Sequence, residues 1–211
     1  MTDIEIITLS QENKLITVKD ISFNMIKVEG NASIPTFYMG ETEVTQGLWR
    51  AVTNKNPSFF KKGDDYPVEL VSYNHCLDFL QKLNRLTGLY FRLPSEAEWE
   101  FAARGGNQSN GYLYAGSNDI DAVAWYAGNS DNSTNPVAQK QPNELGLYDM
   151  TGNVWEWCED RYDRLSGSER VMRGASWSTE HNDCLLTNRC GFTPTLSTIN
   201  CGLRLALNQS F

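Results

Sequence analysis

The sequence predicts an α+β domain with an unusually large share of ordered loop. Three observations lead there. Short runs of alternating apolar and polar residues open and close the chain. Two stretches in the first half carry apolar residues at a 3–4 period behind helix-starting signals. Between them and the closing run lies a long segment rich in Gly, Asn, Asp and Ser, yet studded with Trp and Tyr. Turn-forming residues mixed with large aromatics point to packed loops rather than disorder.

Along the chain, residues 1–30 read as two or three strands: Ile4–Ile7, Leu15–Val18 and Ile21–Val28. FYMGETEV, Phe37–Val44, reads as another. Thr45 then caps a short helix reaching about Val52, carrying Leu48 and Trp49. Residues 56–67 hold two prolines, Gly63 and Asp64–Asp65, and form a loop; Lys61–Lys62 beside those aspartates read as solvated. Ser72 starts the clearest helix, with Cys76, Leu77, Leu80, Leu83 and Leu86 in register and Gly88 as its stop. Tyr90–Leu93 is a short strand. Pro94–Ser95 opens a further helix, in which Ser95 and Glu98 have capping-box spacing and Trp99, Ala102 and Ala103 face inward. Glu96 and Glu100 flank Glu98 near that helix start, where carboxylates suit the dipole. From Gly106 to Arg173 regular elements are hard to discern. GLRLAL, Gly202–Leu207, alternates like a closing strand.

The chain is organised around GLYDMTGNVWEW, Gly146–Trp157. Gly146 and Gly152 suit tight turns or positive φ, and Asn153 tolerates the left-handed region. On an extended segment Trp155 and Trp157 share one face, while Val154 and Glu156 take the other. Two indoles on one face form a structural anchor, each needing an N–H acceptor.

Composition limits the function. The chain has 211 residues, 40% of them hydrophobic, enough for one elaborate domain with a sizeable core. A formal net charge of −8 argues against nucleic acid or an anionic membrane as partner. No apolar run of about 18 residues is present, so no membrane span is expected, and the first residues lack a signal-peptide pattern. Five cysteines without a CxxC speak against a disulfide framework or structural zinc. His75 and His181, the only histidines, leave little for acid–base chemistry, and His181 reads as a surface residue.

Taken in order, FYMGETEVTQ, then PVELVSYNHCLDFLQKLNRLTGLYFRLPSEAEWEFAARGG, GLYDMTGNVWEW, MRGASW and GLRLAL resemble the sulfatase-modifying-factor family, which includes the formylglycine-generating enzymes. The likeness runs from about Phe37 to Leu207. It implies a C-type-lectin-like fold: two helices, short strands, long ordered loops, and chain ends that meet in one sheet. It also implies one domain over 1–211, with N-terminal strands in 1–36, a family-like core in 37–207 and a variable region in 173–207.

The enzymes of this family carry two cysteines, five apart, after a motif that is here Arg173–Trp177, and a thiolate pair suits copper(I). In this chain the first position is Thr179 and the second Cys184. A hydroxyl does not replace a thiolate, so no catalytic residue is expected. Cys184 reads instead as a small buried apolar residue.

RGASW followed by CLLTNR, a proline and CGLRLA resembles a non-enzymatic branch, the variable proteins of diversity-generating retroelements, which use the fold for display. In these proteins adenines of the coding template are randomised. An AA-pyrimidine codon so treated never gives Gln, Glu, Lys, Met or Trp. Between Ser178 and Cys201 none of Gln, Lys, Met or Trp occurs, and Glu occurs only at Glu180; ordinary composition would place roughly five such residues there. The resemblance makes Ser178, Thr179, Asn182, Asp183, Cys190, Gly191, Phe192, Thr193, Thr195, Leu196, Thr198, Ile199 and Asn200 the ligand-binding, variable positions. Glu180 and Arg189 are then fixed or flank them. Trp155, Trp157, Trp177, Arg173 and Arg204 become framework pins, and Cys184, Leu185, Leu186, Asn188 and Pro194 hold the loop down. Phe192, Leu196 and Ile199 among Ser, Thr, Asn and Gly have the make-up of a binding paratope.

The implied partner is a variable protein ligand, and the implied location is the cell surface as a lipoprotein, although this chain shows no lipobox. No cofactor is required. Asp149, Asn153 and Glu156 are oxygen donors of the calcium-binding kind found in related enzymes, but they do not complete a shell.

Overall fold

The structure is a computed structural model and describes residues 4–8, 13–163 and 167–209. Its larger sheet has six antiparallel strands, in the order β1 (Ile4–Thr8), β2 (Lys14–Val18), β3 (Ile21–Val28), β4 (Phe37–Gly40), β10 (Ala206–Asn208) and β5 (Phe91–Arg92). The N-terminal strands and the last strand therefore share one sheet, with Leu207 opposite Tyr38 on one side and Phe91 on the other. A smaller sheet runs β8 (Arg189–Phe192), β7 (Arg170–Arg173), β6 (Trp155–Arg161) and β9 (Cys201–Gly202), and only its β6–β9 pair is parallel.

The central strands of the two sheets, β3, β4 and β6, bury side chains on both faces, which is why strict in–out alternation is lost there. In β3, Met25 joins a core with Leu48, Phe79 and Trp157, whereas Ile26 and Val28 join a second core with Trp99, Leu147 and Met150. Strand β6 divides the same way. Trp157 enters the first core, and Cys158 and the Glu156 carboxylate face the second. The expected sharing of a face by Trp155 and Trp157 holds, and the Trp157 indole donates to the Val71 carbonyl at 3.0 Å.

Each expected helix forms behind its expected cap. Helix α1, Gln46–Thr53, starts at Thr45, whose hydroxyl accepts the Leu48 N–H, and ends at Asn54 with φ 59°. Helix α2, Tyr73–Thr87, starts at Ser72 and stops at Gly88 with φ 72°. Its cap is reciprocal: Nδ1 of His75 accepts the Ser72 N–H. Helix α3, Glu96–Ala103, has the Ser95–Glu98 capping box. Leu77 departs from its expected place on the inner face of α2. It is exposed, and Phe79 occupies the core instead, stacked on Trp49 at 4.6 Å.

Three expectations about extent are corrected. Residues 106–173 hold α4 (Ile120–Val123) and the strands β6 and β7, which pair with each other as antiparallel neighbours. The strand from Phe37 ends at Gly40 rather than Val44. The closing run GLRLAL is split: Gly202 pairs with Glu156 in the small sheet and Ala206 with Met39 in the large one. The split stitches the sheets together and drives the Arg204 side chain between them.

A candidate ligand-binding face on loop 174–201

The loop leaves β7 through Gly174 (φ 97°) and Ala175 (φ 66°). The Trp99 ring lies 3.1 Å from where a Gly174 Cβ would sit, so the backbone passes directly over it. The loop is then held largely through its carbonyls. Framework N–H groups donate to them: Ala127 to Thr179 at 3.0 Å, Asn74 to Pro194 at 3.2 Å, Leu70 to Thr198 at 3.0 Å and Trp155 to Asn200 at 2.8 Å. Framework side chains do the same: Ser130 to Trp177 at 2.7 Å and Arg173 to Leu186 at 2.6 Å. The Trp177 indole donates to the Ile199 carbonyl at 3.1 Å and meets the Phe60 ring edge-on at 5.4 Å.

Above these ties, Ser178, Asn182, Asp183, Thr193 and Thr195 are exposed. Thr179, Cys190, Gly191, Phe192, Leu196, Thr198, Ile199 and Asn200 are half-buried. Not one of the thirteen is buried, while Cys184 and Leu186 beneath them are, and Leu185, Asn188 and Pro194 are half-buried. Strand β8 is the least free part. Cys190 and Phe192 lean against the first core, and a Cβ on Gly191 would lie 2.4 Å from Cγ of Tyr162. His181 is exposed, with the Tyr114 and Tyr126 rings at 6.1 and 6.0 Å.

Beneath the loop sits a buried polar knot that sequence reading only half anticipated. Arg204 forks Glu156 at 2.7–3.1 Å and donates to the carbonyls of Gly40, Glu41 and Tyr148. The Trp99 indole donates to Glu156 at 2.6 Å. Glu43 accepts from the Val154 N–H and the Asn153 amide, and the Asn153 carbonyl in turn accepts the Trp177 N–H. Asp149 accepts from the Ala138 N–H, leaving Oδ1 buried without a partner. Nothing in FYMGETEV, which holds both Glu41 and Glu43, sets Glu43 apart by sequence.

Of the oxygen donors considered for calcium, Glu156 is committed to Arg204 and Trp99, and Asn153 to Glu43 and Asn135. They do not form a coordination shell as they stand, and among the described residues no group of three His, Cys, Asp or Glu is spaced for a metal.

Burial, reinforced by Asp149 and Glu156, pushes Glu43 well above the usual carboxylate range, and burial raises Asp149 to about 6. A carboxyl raised on folding favours the protonated native state. Its contribution to stability is therefore greatest below the unfolded value near 3.8 and is lost as pH climbs through about 6. For Asp149 the loss is about 3 kcal/mol. In urea titrations between pH 4 and 7 (~1 unit steps), Asp149→Asn should flatten this decline. Equal slopes in both proteins would show that Asp149 does not titrate there.

The glutamates of α3 do more than cap it. Although burial opposes it, Arg189 and Arg173 hold Glu96 below its ordinary value. Arg173 bridges Glu96 and Glu100 at 2.7 and 2.9 Å, and Arg189 forks Glu96 at 2.7 and 2.8 Å. Both arginines thereby fix the loop to a helix whose Glu96 precedes them by 77 and 93 residues.

At the two positions where the enzymes carry cysteines, the Thr179 hydroxyl accepts the Ser176 N–H. The Cys184 thiol, raised to about 12 by burial and by Asp183 and Glu180, points to the Glu180 carbonyl at 3.3 Å.

The family model described as "Sulfatase-modifying factor enzyme 1-like domain" matches residues 9–209. The chain belongs to the sulfatase-modifying-factor family. A relative in Paenibacillus barcinonensis, a chaperone protein called LppX, is 34% identical over 72% of this chain and 73% of its own length. The inactive C-alpha-formylglycine-generating enzyme 2 of Bos taurus is 31% identical over 77% of this chain, which spans 57% of that protein. Among solved structures, Treponema denticola variable protein 1 superposes with a TM-score of 0.86 at 29% identity, covering 94% of this chain and 100% of that one. The likeness supports the non-enzymatic, lectin-like branch of the sulfatase-modifying-factor family, and its C-type-lectin-like fold is that of this chain.

Proposed function

We propose that this protein is a display scaffold that binds a variable, protein ligand through the face formed by residues 178–200, with those positions diversified by a retroelement. The observation that carries the reading is the way the loop is held. Framework donors grip main-chain carbonyls, which every residue type supplies, and outside β8, where Cys190 and Phe192 lean on the core, the proposed variable side chains are exposed or half-buried. Exchange of such side chains leaves the fold intact, because surface substitutions shift stability by about 0.5 kcal/mol or less. The reading assigns no catalytic role: Thr179 lacks a thiol, and Cys184 is held as one. Family likeness to a variable protein supports ligand binding, and display at the cell surface follows as part of the same proposal.

A library randomised at Ser178, Asn182, Thr193, Thr195 and Leu196 should keep most members within about 3 °C of the parent melting temperature. Randomising Cys184 and Leu186 instead should unfold most of them. Equal tolerance at both sets, or collapse of the first, overturns the reading. Genomic sequencing should find a near-identical template repeat beside a reverse transcriptase. Formylglycine formation on a sulfatase-motif peptide with copper would restore the enzyme alternative.

A further inference from the structure

A cleft of about 340 Å³ lies between α1, residues 55–57 and α2. Trp49, stacked on the fully buried Phe79, lies at its base, with Pro57 as a wall. Lys55, Lys82, His75 and Asp78 stand at its rim, all exposed. Among the described residues neither lysine forms an ion pair. His75 spends Nδ1 on the Ser72 N–H, so its ring hydrogen sits on Nε2. The rim is therefore net positive on a chain whose formal charge is −8.

The cleft adjoins the display face at two points. Asn74, next to His75, donates to the Pro194 carbonyl, and residues 55–57 lead directly to Phe60, whose ring meets Trp177. Every residue of the cleft lies outside the expected variable positions.

We propose that this cleft is a subsite, apart from the variable positions, for an acidic peptide segment of the bound protein, one aromatic side chain entering against Trp49 and Pro57 with flanking carboxylates on Lys55 and Lys82. An apolar floor beneath unpaired ammonium groups matches that chemistry, since aromatic burial supplies affinity and the charges supply orientation. The occupant's identity as a protein rests on the display reading; the chemistry of the cleft does not.

The test is an NMR titration of the full chain with the capped peptide Ac-Asp-Phe-Asp-NH2, using Ac-Lys-Phe-Lys-NH2 as control. The acidic peptide should shift the Trp49 indole and the amides of His75 and Lys82, with a Kd on the order of millimolar for so small a probe. Lys55→Ala with Lys82→Ala should weaken it about tenfold, and added salt should do likewise. Ser178→Ala with Thr193→Ala and Thr195→Ala should leave its affinity unchanged. Equal shifts with the lysine peptide, or none at Trp49, overturn the subsite. If the loop library fails while this titration succeeds, the display reading falls and the cleft stands.

Discussion

Arg204→Met should destabilise the protein by about 3–5 kcal/mol at neutral pH, because it strands buried carboxylates. Arg204 and Glu156 are both fully buried, and Glu43 and Asp149 lie within electrostatic reach of the guanidinium. The arginine also satisfies three carbonyls where the chain crosses from one sheet to the other. Its loss therefore removes a countercharge and leaves acceptors unpaired at the same place. Since ordinary domains are stable by only about 5–15 kcal/mol, much of the protein should be unfolded near physiological temperature. Adding Glu156→Gln to Arg204→Met should recover part of the loss, as a urea-denaturation double-mutant cycle would show. A near-native midpoint for the single variant would mean that the knot contributes nothing to stability.

The second large effect is expected at Gly152. Its φ is 87°, and an added Cβ would lie 2.2 Å from the Trp125 carbonyl oxygen and 2.8 Å from the Trp125 nitrogen. Both obstacles are backbone. Trp125 is bridged to Gly152, and its carbonyl accepts the Asn153 N–H, so moving apart breaks those contacts. Gly152→Ala should cost more than about 3 kcal/mol. Gly146 supplies the control: its φ is 83°, but nothing lies within 4 Å of its would-be Cβ. There alanine meets only the left-handed penalty, about 1–2 kcal/mol. Thermal melts of the two variants should differ by several degrees (about 4 °C or more). Similar melts would show that close approach to Trp125 is not what requires glycine.

The comparison of these glycines shows what the sequence could disclose. Positive φ at Gly146, Gly152 and Asn153 was legible from residue type, as were the caps at Thr45, Ser72 and Ser95 and the shared face of Trp155 and Trp157. All depend on neighbours within a turn or two. What stayed hidden depends on distant partners. Strand β9 has two residues and exists because Trp155 and Glu156 lie alongside it. Glu96 looked like a helix-start carboxylate until the fold brought Arg173 and Arg189 to it. Glu43, 110 residues before Asn153, acquires its role only across the core. Family resemblance named the loop, but only the coordinates show its half-buried strand, where Cys190 and Phe192 lean inward.

One consequence of the carbonyl grip concerns proline. Framework N–H groups of Leu70, Asn74 and Trp155 supply the hydrogens, so the loop is asked for oxygen alone at 194, 198 and 200. At Thr193, Thr195, Thr198, Ile199 and Asn200 the residue's own N–H has no described acceptor. Under the proposed diversification, a pyrimidine-ending codon with both adenines exchanged can read CCY, which encodes the one residue lacking that hydrogen. Introducing it at these five places forfeits no main-chain bond, so under the proposed diversification proline is admissible wherever the local φ already suits its ring.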